Sequence, residues 1–364
     1  MDRKRHSKAQ GGKMKKLIFL ALTLASVLYG ATFPLQLVDD EGQKVIIHKE
    51  PQRIAISGLW PMPSVIMMLS NSADKIIYMP QASKNALLHS FMVEIFPRIS
   101  QIPAGNSENI EELLSYKPDV FICHSANKSV CASMRQSGVP TIAISVSAWK
   151  YDSYKTLQGW FRLIAPLLDR EQKAQQILQE VLKQENLAKQ SNEILPKAIF
   201  IHTYASDEKL TIAGIFSKYL LKSSGGVAML ESNANTSLEE IYKLNPDIIY
   251  INNFTPLLPE QILRSKRWQG IAAVKNKRVY KLPLGSYRPF APSVDLPVLL
   301  AWLRAHNEEF VKSSGDKKGA IRGVIKDEYK QYAKQYYKEM FGLKLDEVQL
   351  EKIFAPSSKA GNLQ

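Results

Sequence analysis

Two stretches of the chain follow one pattern, NIEELLSYKPDVFI at residues 109–122 and SLEEIYKLNPDIIY at residues 237–250. In each, a Glu-Glu pair and apolar residues at helical spacing precede Pro-Asp and an apolar run typical of a buried strand. The offset of 128 residues (237 minus 109) is far longer than the period of a solenoid repeat. The pattern therefore predicts one helix–strand unit in each of two related α/β lobes.

Further strands and helices alternate around these units. The predicted strands are residues 53–57, 75–78, 120–123, 141–146, 198–202, 247–251 and 278–282. A helical stretch of about residues 154–190, which Pro166 interrupts, separates the two groups. Because alternating strands and helices favour parallel sheets, we predict an α/β fold of two doubly wound lobes. A long linking helix joins the lobes, and a ligand cleft lies between them.

The N-terminal residues have the features of a secretory signal peptide. Two lysines precede an apolar run at residues 17–28, and small residues follow it. The run is shorter than the about 20 apolar residues that span a membrane, so we expect cleavage and not an anchor. Met14 is a second candidate start, which would make residues 1–13 an extension. No cysteine near the end of the run could carry a lipid, so we expect a periplasmic protein that is not a lipoprotein.

A chain of 364 residues is long enough for two domains of ordinary size. The predicted segments are a signal peptide (1–30), an N-terminal lobe (31–152), a linking helix region (153–192), a C-terminal lobe (193–312), and C-terminal helices with a tail (313–364).

The net charge of the chain is +14, of which residues 1–30 supply +6 and the remainder +8. The lysines of the remainder are spread along the predicted helices. They do not form the compact basic run with interleaved aromatics that a nucleic-acid site needs, so we expect no nucleic-acid partner. A diffuse positive charge is suited to attracting anionic ligands.

The two cysteines, Cys123 and Cys131, are eight positions apart. An oxidising compartment would allow a disulfide between them. Their spacing is not that of a metal site, and free buried thiols are the default expectation.

The chain resembles the periplasmic binding proteins for iron–siderophore complexes, haem and cobalamin, whose lobes are joined by one rigid helix. The resemblance covers most of residues 40–312. The motifs that carry it, besides the two repeated units, are PQRIAISG (51–58), SGVPTIAI (137–144) and RWQGIAAVKNKRVYKLP (267–283). It implies a monomeric binding protein that delivers a chelated metal to an ABC permease. We expect an iron(III) chelate, while haem, cobalamin, a nickel complex and molybdate are also compatible.

Ligands of open α/β sheets bind beyond the carboxyl ends of the strands. The candidate ligand-binding residues that follow predicted strands are Trp60, His124, Tyr204, Tyr287 and Arg288. The aromatic side chains offer flat surfaces to an organic chelate, and the guanidinium of Arg288 suits an anionic group. His124 and Tyr287 are candidate direct ligands for a metal.

Each candidate also has a structural explanation. His124 could form hydrogen bonds within its loop and bind no ligand. Trp60 could pack its proline-containing loop against the lobe, and Arg288 could pair with Asp295. Tyr204 could fill the core at a strand end. We expect His202 to lie inside a strand with a structural role.

The resemblance implies an acidic residue on each lobe that contacts the permease. Glu260 is the candidate in the second lobe, although the helix dipole alone also favours an acid in a first turn. The corresponding first-lobe helix, near residues 127–136, offers no acid.

Two other classes of function remain open at this point. An exported enzyme could use the cleft, but the sequence contains no GxSxG, HExxH, P-loop or GxGxxG motif. A structural protein could bind a partner through the basic C-terminal helices. This second alternative predicts no ligand in a closed cleft.

Overall fold

The computed structural model of the protein describes residues 33–189, 195–230, 232–312 and 318–359. The described residues from Phe33 onward belong to one compact unit. The predicted signal peptide at residues 1–30 lies outside the described residues. Within the described ranges, every helix is too short or too polar to cross a membrane.

The first lobe contains a five-stranded sheet in which all neighbouring strands are parallel. An antiparallel hairpin of β1 (Leu35–Val38) and β2 (Lys44–Ile47) precedes this sheet in the chain. The five strands, in spatial order, are β5 (Ala104–Gly105), β4 (Ile76–Pro80), β3 (Ile54–Ser57), β6 (Val120–His124) and β7 (Thr141–Ile144).

The second lobe contains a mixed sheet. Its strands in spatial order are β11 (Ala234–Thr236), β9 (Lys209–Ile212), β8 (Lys197–Ser206), β12 (Ile248–Ile251) and β13 (Val279–Lys281), with β10 (Val227–Ala228) beside the start of β8. The β8, β12 and β13 strands are parallel, whereas β9 and β11 are antiparallel to their neighbours. The predicted strand at 198–202 is therefore too short, because β8 continues to Ser206 and turns back into β9.

Both sheets are covered by packed side chains on both faces. Successive residues of a strand point to opposite faces, so alternate residues belong to different clusters. On one face, Val120 and Ile122 of β6 share a single core with Tyr250 of β12. On the other face, Phe121 of β6 and Ile249 of β12 belong to separate clusters of their own lobes. This double covering confirms the predicted doubly wound α/β lobes.

Helices connect the strands. Those of the first lobe are α1 (Met62–Ser70), α2 (Gln81–Leu88), α3 (Met92–Ile95), α4 (Ile110–Ser115) and α5 (Lys128–Gln136). Those of the second lobe are α8 (Ser217–Lys222), α9 (Leu238–Leu244), α10 (Pro259–Arg264) and α11 (Ala272–Lys275).

The repeated sequence units have the same structure. Each forms a short helix, α4 or α9, followed by a central strand, β6 or β12. The Pro-Asp carboxylate caps the start of the neighbouring strand: Asp119 accepts the N–H groups of Gln52 (2.8 Å) and Arg53 (2.9 Å). Asp247 accepts the N–H of Lys197 at 2.9 Å. The shared Pro-Asp therefore has the same role in the two lobes, which is to hold two central strands together.

The linking segment consists of α6 (Ser153–Ile164), a 3₁₀ turn (Pro166–Leu168) and α7 (Glu171–Lys189). The break at Pro166 confirms the prediction, since proline cannot continue the hydrogen-bond ladder of α6. The buried residues of α7 recur at helical spacing, so one stripe of the helix packs into the shared core. The exact segment boundaries predicted from the sequence stay predictions.

The C-terminal helices α12 (Leu296–Lys312), α13 (Lys318–Phe341) and α14 (Glu347–Phe354) are part of the core. The ring of Tyr337 contacts Phe91 of the first lobe at 5.4 Å, and its hydroxyl donates to Asp295 at 2.6 Å. Lys352 forms an ion pair with Glu94 of the first lobe. These helices therefore hold the first lobe against the segment that follows the last strand of the second lobe.

Cys123 and Cys131 form a disulfide, with their Cα atoms 5.9 Å apart. The default expectation of free thiols is therefore wrong. Cys123 is near the end of β6, and Cys131 lies on α5, which packs against that strand. The bond thus fixes α5 to the strand that ends at His124.

Candidate functional site

A cavity of about 350 Å³ lies between the two lobes, at the carboxyl ends of their central strands. The side chains that give it its character are Trp60, His124, Tyr151, His202, Phe216, Phe254 and Phe290. Trp60 and His124 follow or end first-lobe strands, as the sequence predicts. The other members include His202 of β8 and Phe254, which lies three residues after β12.

Aromatic rings form a wall that crosses from one lobe to the other. The ring of Trp60 in the first lobe lies 6.2 Å from that of Phe254 in the second. His202 lies 5.4 Å from Phe254 and 5.8 Å from Phe290. Trp60 is 40% exposed, so it does not simply fill the interior of its lobe. Rings at these separations present flat, apolar surfaces to whatever enters the cleft.

The two histidines are the titratable groups at the centre of this wall. The N–H of Ala126 donates to Nδ1 of His124 at 2.8 Å, and Nδ1 of His202 lies 3.0 Å from Nδ2 of Asn252. Burial lowers the pKa of both imidazoles below the usual 6.5, because it disfavours the charged ring. Both rings are therefore neutral at pH 7.

Gly58 makes room for His124. Its φ is 71°, and an added Cβ would lie 3.1 Å from Cβ of His124 and 3.0 Å from Nδ2 of Asn127. A residue with a side chain would be strained and crowded at this position. The glycine after β3 is thus required for the imidazole to take its place at the cleft.

Arg288 lies fully buried beneath the second-lobe side of the cleft. Among the described residues, none of its three guanidinium nitrogens has a hydrogen-bond partner. The guanidinium carbon lies 5.3 Å from the ring of Phe254 and 5.7 Å from that of Tyr287. Burial lowers the pKa of Arg288, and its φ of 26° is strained for a residue with a side chain. An unpaired cation therefore lies directly behind a cleft-lining ring.

The expected alternative, an Arg288–Asp295 ion pair, is wrong. The Oδ2 atom of Asp295 accepts the N–H and the hydroxyl of Ser286 at 2.8 and 2.7 Å, and Oδ1 accepts the hydroxyl of Tyr337. These bonds engage the carboxylate with the loop and the C-terminal helix, so it does not pair with the guanidinium.

A second buried cation lies near Arg288. The ammonium of Lys281 donates to the carbonyls of Thr255 (2.6 Å) and Leu257 (2.7 Å). Burial lowers the pKa of Lys281 to about 8, and the charge of Arg288 adds to this effect. The second lobe thus concentrates positive charge behind the cleft wall.

Tyr204 does not line the interlobe cavity, contrary to the sequence-based expectation. It lies inside the β8–β9 hairpin, paired with Leu210, and its hydroxyl donates to Asp207 at 2.8 Å. Burial and Asp207 raise its pKa to about 12. The error arises because β8 extends four residues beyond its predicted end, so Tyr204 is not at a strand end. It lines a separate surface cavity of about 610 Å³.

Tyr287 is also misplaced as a cleft residue. Its side chain is fully buried, and it is not among the residues that line the interlobe cavity. Burial raises its pKa, so the hydroxyl keeps its proton at neutral pH. The prediction of Tyr287 as a direct metal ligand is therefore wrong for this cavity, because its side chain does not line it. Glu260, by contrast, is exposed in the first turn of α10, where the sequence analysis expects it.

Of the cleft side chains named above, sequence reasoning missed five: Tyr151, His202, Phe216, Phe254 and Phe290. His202 was assigned a structural role because it lies inside a strand. Phe254 follows β12 and has the same strand-end signal as Trp60, so that signal could have identified it. Phe290 lies in a long loop, where no local pattern marks it. Within the described ranges, no three His, Cys, Asp or Glu side chains form a group that could hold a metal ion.

The sequence model of the periplasmic binding protein family matches residues 72–284, more than half of the chain. The chain belongs to this family. It is similar to the molybdate-binding protein MolA of Haemophilus influenzae, with 23% identity over 74% of this chain and 83% of the relative. It is also similar to the Fe(3+)-citrate-binding protein YfmC of Bacillus subtilis, with 22% identity over 67% of this chain and 77% of the relative.

A solved periplasmic solute binding protein from Veillonella parvula has the same fold, with a TM-score of 0.72 and 26% identity. The match covers 88% of this chain and 96% of that protein. Members of this family are substrate-binding proteins of ABC importers and not enzymes. The alternative of an exported enzyme is therefore wrong.

Proposed function

We propose that this periplasmic binding protein captures a small anionic metal complex, with an iron(III) chelate as the first candidate, and delivers it to an ABC permease. The observation that carries the proposal is the aromatic cleft with an unpaired cation behind its wall. Relatives named for molybdate and for Fe(3+)-citrate support an anionic, metal-containing cargo. A cavity of about 350 Å³ is near the lower end of ligand-pocket volumes, which favours a compact complex.

In this proposal, Trp60 and Phe254 contact the organic or apolar surface of the cargo from opposite lobes. Arg288 acts at short range through the ring of Phe254. Because the wall between them is apolar, the potential of the guanidinium is screened less than it would be in water. A buried charge without a partner costs stability, and a gain in affinity for an anionic ligand would offset that cost.

We also propose that residues 1–30 direct export and that the mature protein carries no lipid. Glu260 is proposed to meet a basic site on the permease. Replacing Glu260 with glutamine should leave cargo affinity unchanged and reduce uptake, while Glu239→Gln, another exposed acid of the second lobe, should affect neither. Equal uptake by both variants would remove Glu260 from the docking site.

Native mass spectrometry with elemental analysis tests the cargo. Mature protein purified from the periplasm without chelators should carry a stoichiometric metal and an added organic or oxyanion mass. Trp60→Ala should lose that mass, whereas Tyr242→Ala should retain it, although both side chains are 40% exposed. A protein of bare sequence mass that shows no thermal shift with ferric citrate, molybdate, haem, cobalamin or nickel complexes would overturn the proposal.

A further inference from the structure

Two imidazoles, one from each lobe, line the interlobe cavity. A neutral imidazole carries its proton on only one ring nitrogen, and the hydrogen bond made by one nitrogen decides the role of the other. The protein contacts of these rings therefore decide whether they can bind a metal or can only donate a hydrogen bond.

In the hydrogen bond between Ala126 and His124, only one of the two groups can be the donor. Its partner is the backbone N–H of Ala126, which is always a donor, so Nδ1 of His124 must accept. The proton of the neutral ring therefore lies on Nε2. Moving it to Nδ1 would bring two N–H groups face to face across 2.8 Å.

The second ring has the same arrangement. The side-chain oxygen of Asn252 accepts the N–H of Phe254 at 3.3 Å, which orients the amide so that its NH₂ group faces His202. Nδ1 of His202 thus also accepts. Asn252 is fully buried, so the surrounding structure holds this orientation. Again the proton lies on Nε2.

We propose that His124 and His202 bind the cargo as Nε2–H donors to its oxygen atoms and make no bond to its metal. This inference rests on the proposed function and specifies its ligand class. The cargo is an oxygen-rich anion, either a free oxyanion or a metal chelate whose coordination sphere is already complete. The expectation that His124 is a direct metal ligand is thereby replaced.

The buried cation agrees with this ligand class. Arg288 lies behind Phe254, the residue whose N–H orients Asn252. The second lobe thus places a positive charge and a neutral N–H donor on the same side of the cleft. Both favour a ligand with negative oxygen atoms.

The protonation states can be read directly in the ligand-free protein. Two-dimensional ¹H–¹⁵N spectra of the imidazole rings at pH 7.5 should show a bare Nδ1 and a protonated Nε2 for both rings. His124→Gln and His202→Gln variants assign the signals. A proton on Nδ1 of either ring would overturn the inference for that ring.

Ligand titration is the second test of the inference, with sodium molybdate, ferric citrate and nickel chloride as probes. Glutamine can keep an N–H donor near the place of Nε2 but is a poor metal ligand. His124→Gln should therefore keep the affinity for the bound anion within about threefold, while His124→Leu should weaken it about tenfold. The same pair of variants applies to His202. Unfolding curves of each variant separate folding defects from binding defects.

The outcomes distinguish this inference from the proposed function. Binding of molybdate or ferric citrate with retained Nε2 protons supports both. Tight binding of nickel chloride with nickel–imidazole bonds, seen by X-ray absorption, overturns the inference and leaves metal uptake standing. If none of the three probes binds, the inference fails; the proposed function fails with it only if haem, cobalamin and nickel complexes also give no thermal shift.

Discussion

The two repeated units have nearly the same local structure and very different surroundings. Both place a helix before a central strand, and both use an aspartate to cap the neighbouring strand. In the first lobe, the strand ends at His124 beside a disulfide. In the second lobe, the strand is followed by buried amides and lies near two buried cations. A shared secondary-structure pattern therefore does not imply a shared chemical role.

The two lobes are also stabilised differently. A covalent bond ties α5 to β6 in the first lobe. After the last strand of the second lobe, Asp295 collects hydrogen bonds from Ser286, Tyr287 and Tyr337, and so joins the loop to the C-terminal helix. The Asp295 hydrogen bonds reach 42 residues along the chain to Tyr337, whereas the disulfide joins residues only eight positions apart.

The largest expected effect concerns the polar centre of the second lobe. Asp295→Ala should lower the free energy of unfolding by about 4 kcal/mol, because it leaves several buried donors without an acceptor. Urea unfolding at pH 7 measures this loss. The first-lobe control, Asp119→Ala, removes a more exposed cap and should cost about 1 kcal/mol. Equal losses in the two variants would contradict the proposed difference between the lobes.

The disulfide provides the next largest effect. Replacing both Cys123 and Cys131 with serine should lower the free energy of unfolding by about 2 to 3 kcal/mol, since the closed loop is short. Wild-type protein unfolded with a reductant should match the double variant. A smaller loss of unfolding free energy than in Asp295→Ala would agree with a local role of the disulfide. A larger loss would show that the disulfide contributes more to stability than the Asp295 hydrogen bonds.

Arg288→Met should separate affinity from stability. Affinity for an anionic cargo should fall about tenfold, while the free energy of unfolding stays level or rises because an unpaired buried charge is removed. Titration calorimetry and urea unfolding measure the two quantities. Arg264→Met, an exposed change on α10, is the control and should alter neither. Unchanged affinity in Arg288→Met would remove the guanidinium from the site.

The smallest effect is a pH dependence that both lobes share. Burial lowers the pKa of His124 and His202 below 6.5, so the unfolded chain binds more protons just below that pH. The free energy of unfolding should therefore rise with pH through this window and fall as the pH drops from 7 to 5. His202→Asn should flatten the slope, and the exposed His48→Asn should not. An unchanged slope in His202→Asn would contradict the assignment.

Local sequence patterns were sufficient to predict the order of the main strands and helices. The sequence correctly predicts the repeated units, the break at Pro166, and the positions of Trp60 and His124 after or at the ends of strands. Each of these features depends on residues close together in the chain. Local patterns failed where a strand passed its apparent end. The apolar run predicts a strand that ends at residue 202, but pairing with β9 extends β8 to Ser206, which removes Tyr204 from the cleft.

By itself, the sequence determined the two α/β lobes, their linking helices and the family, since apolar periodicity and motif order are local properties of the chain. The tertiary structure alone decided the disulfide, the burial of Arg288 and Tyr287, and the ring nitrogens left for a ligand. Each of these depends on which groups meet across the fold. The physical reason is that burial and hydrogen bonding change the charge, direction and protonation of a side chain without changing its identity.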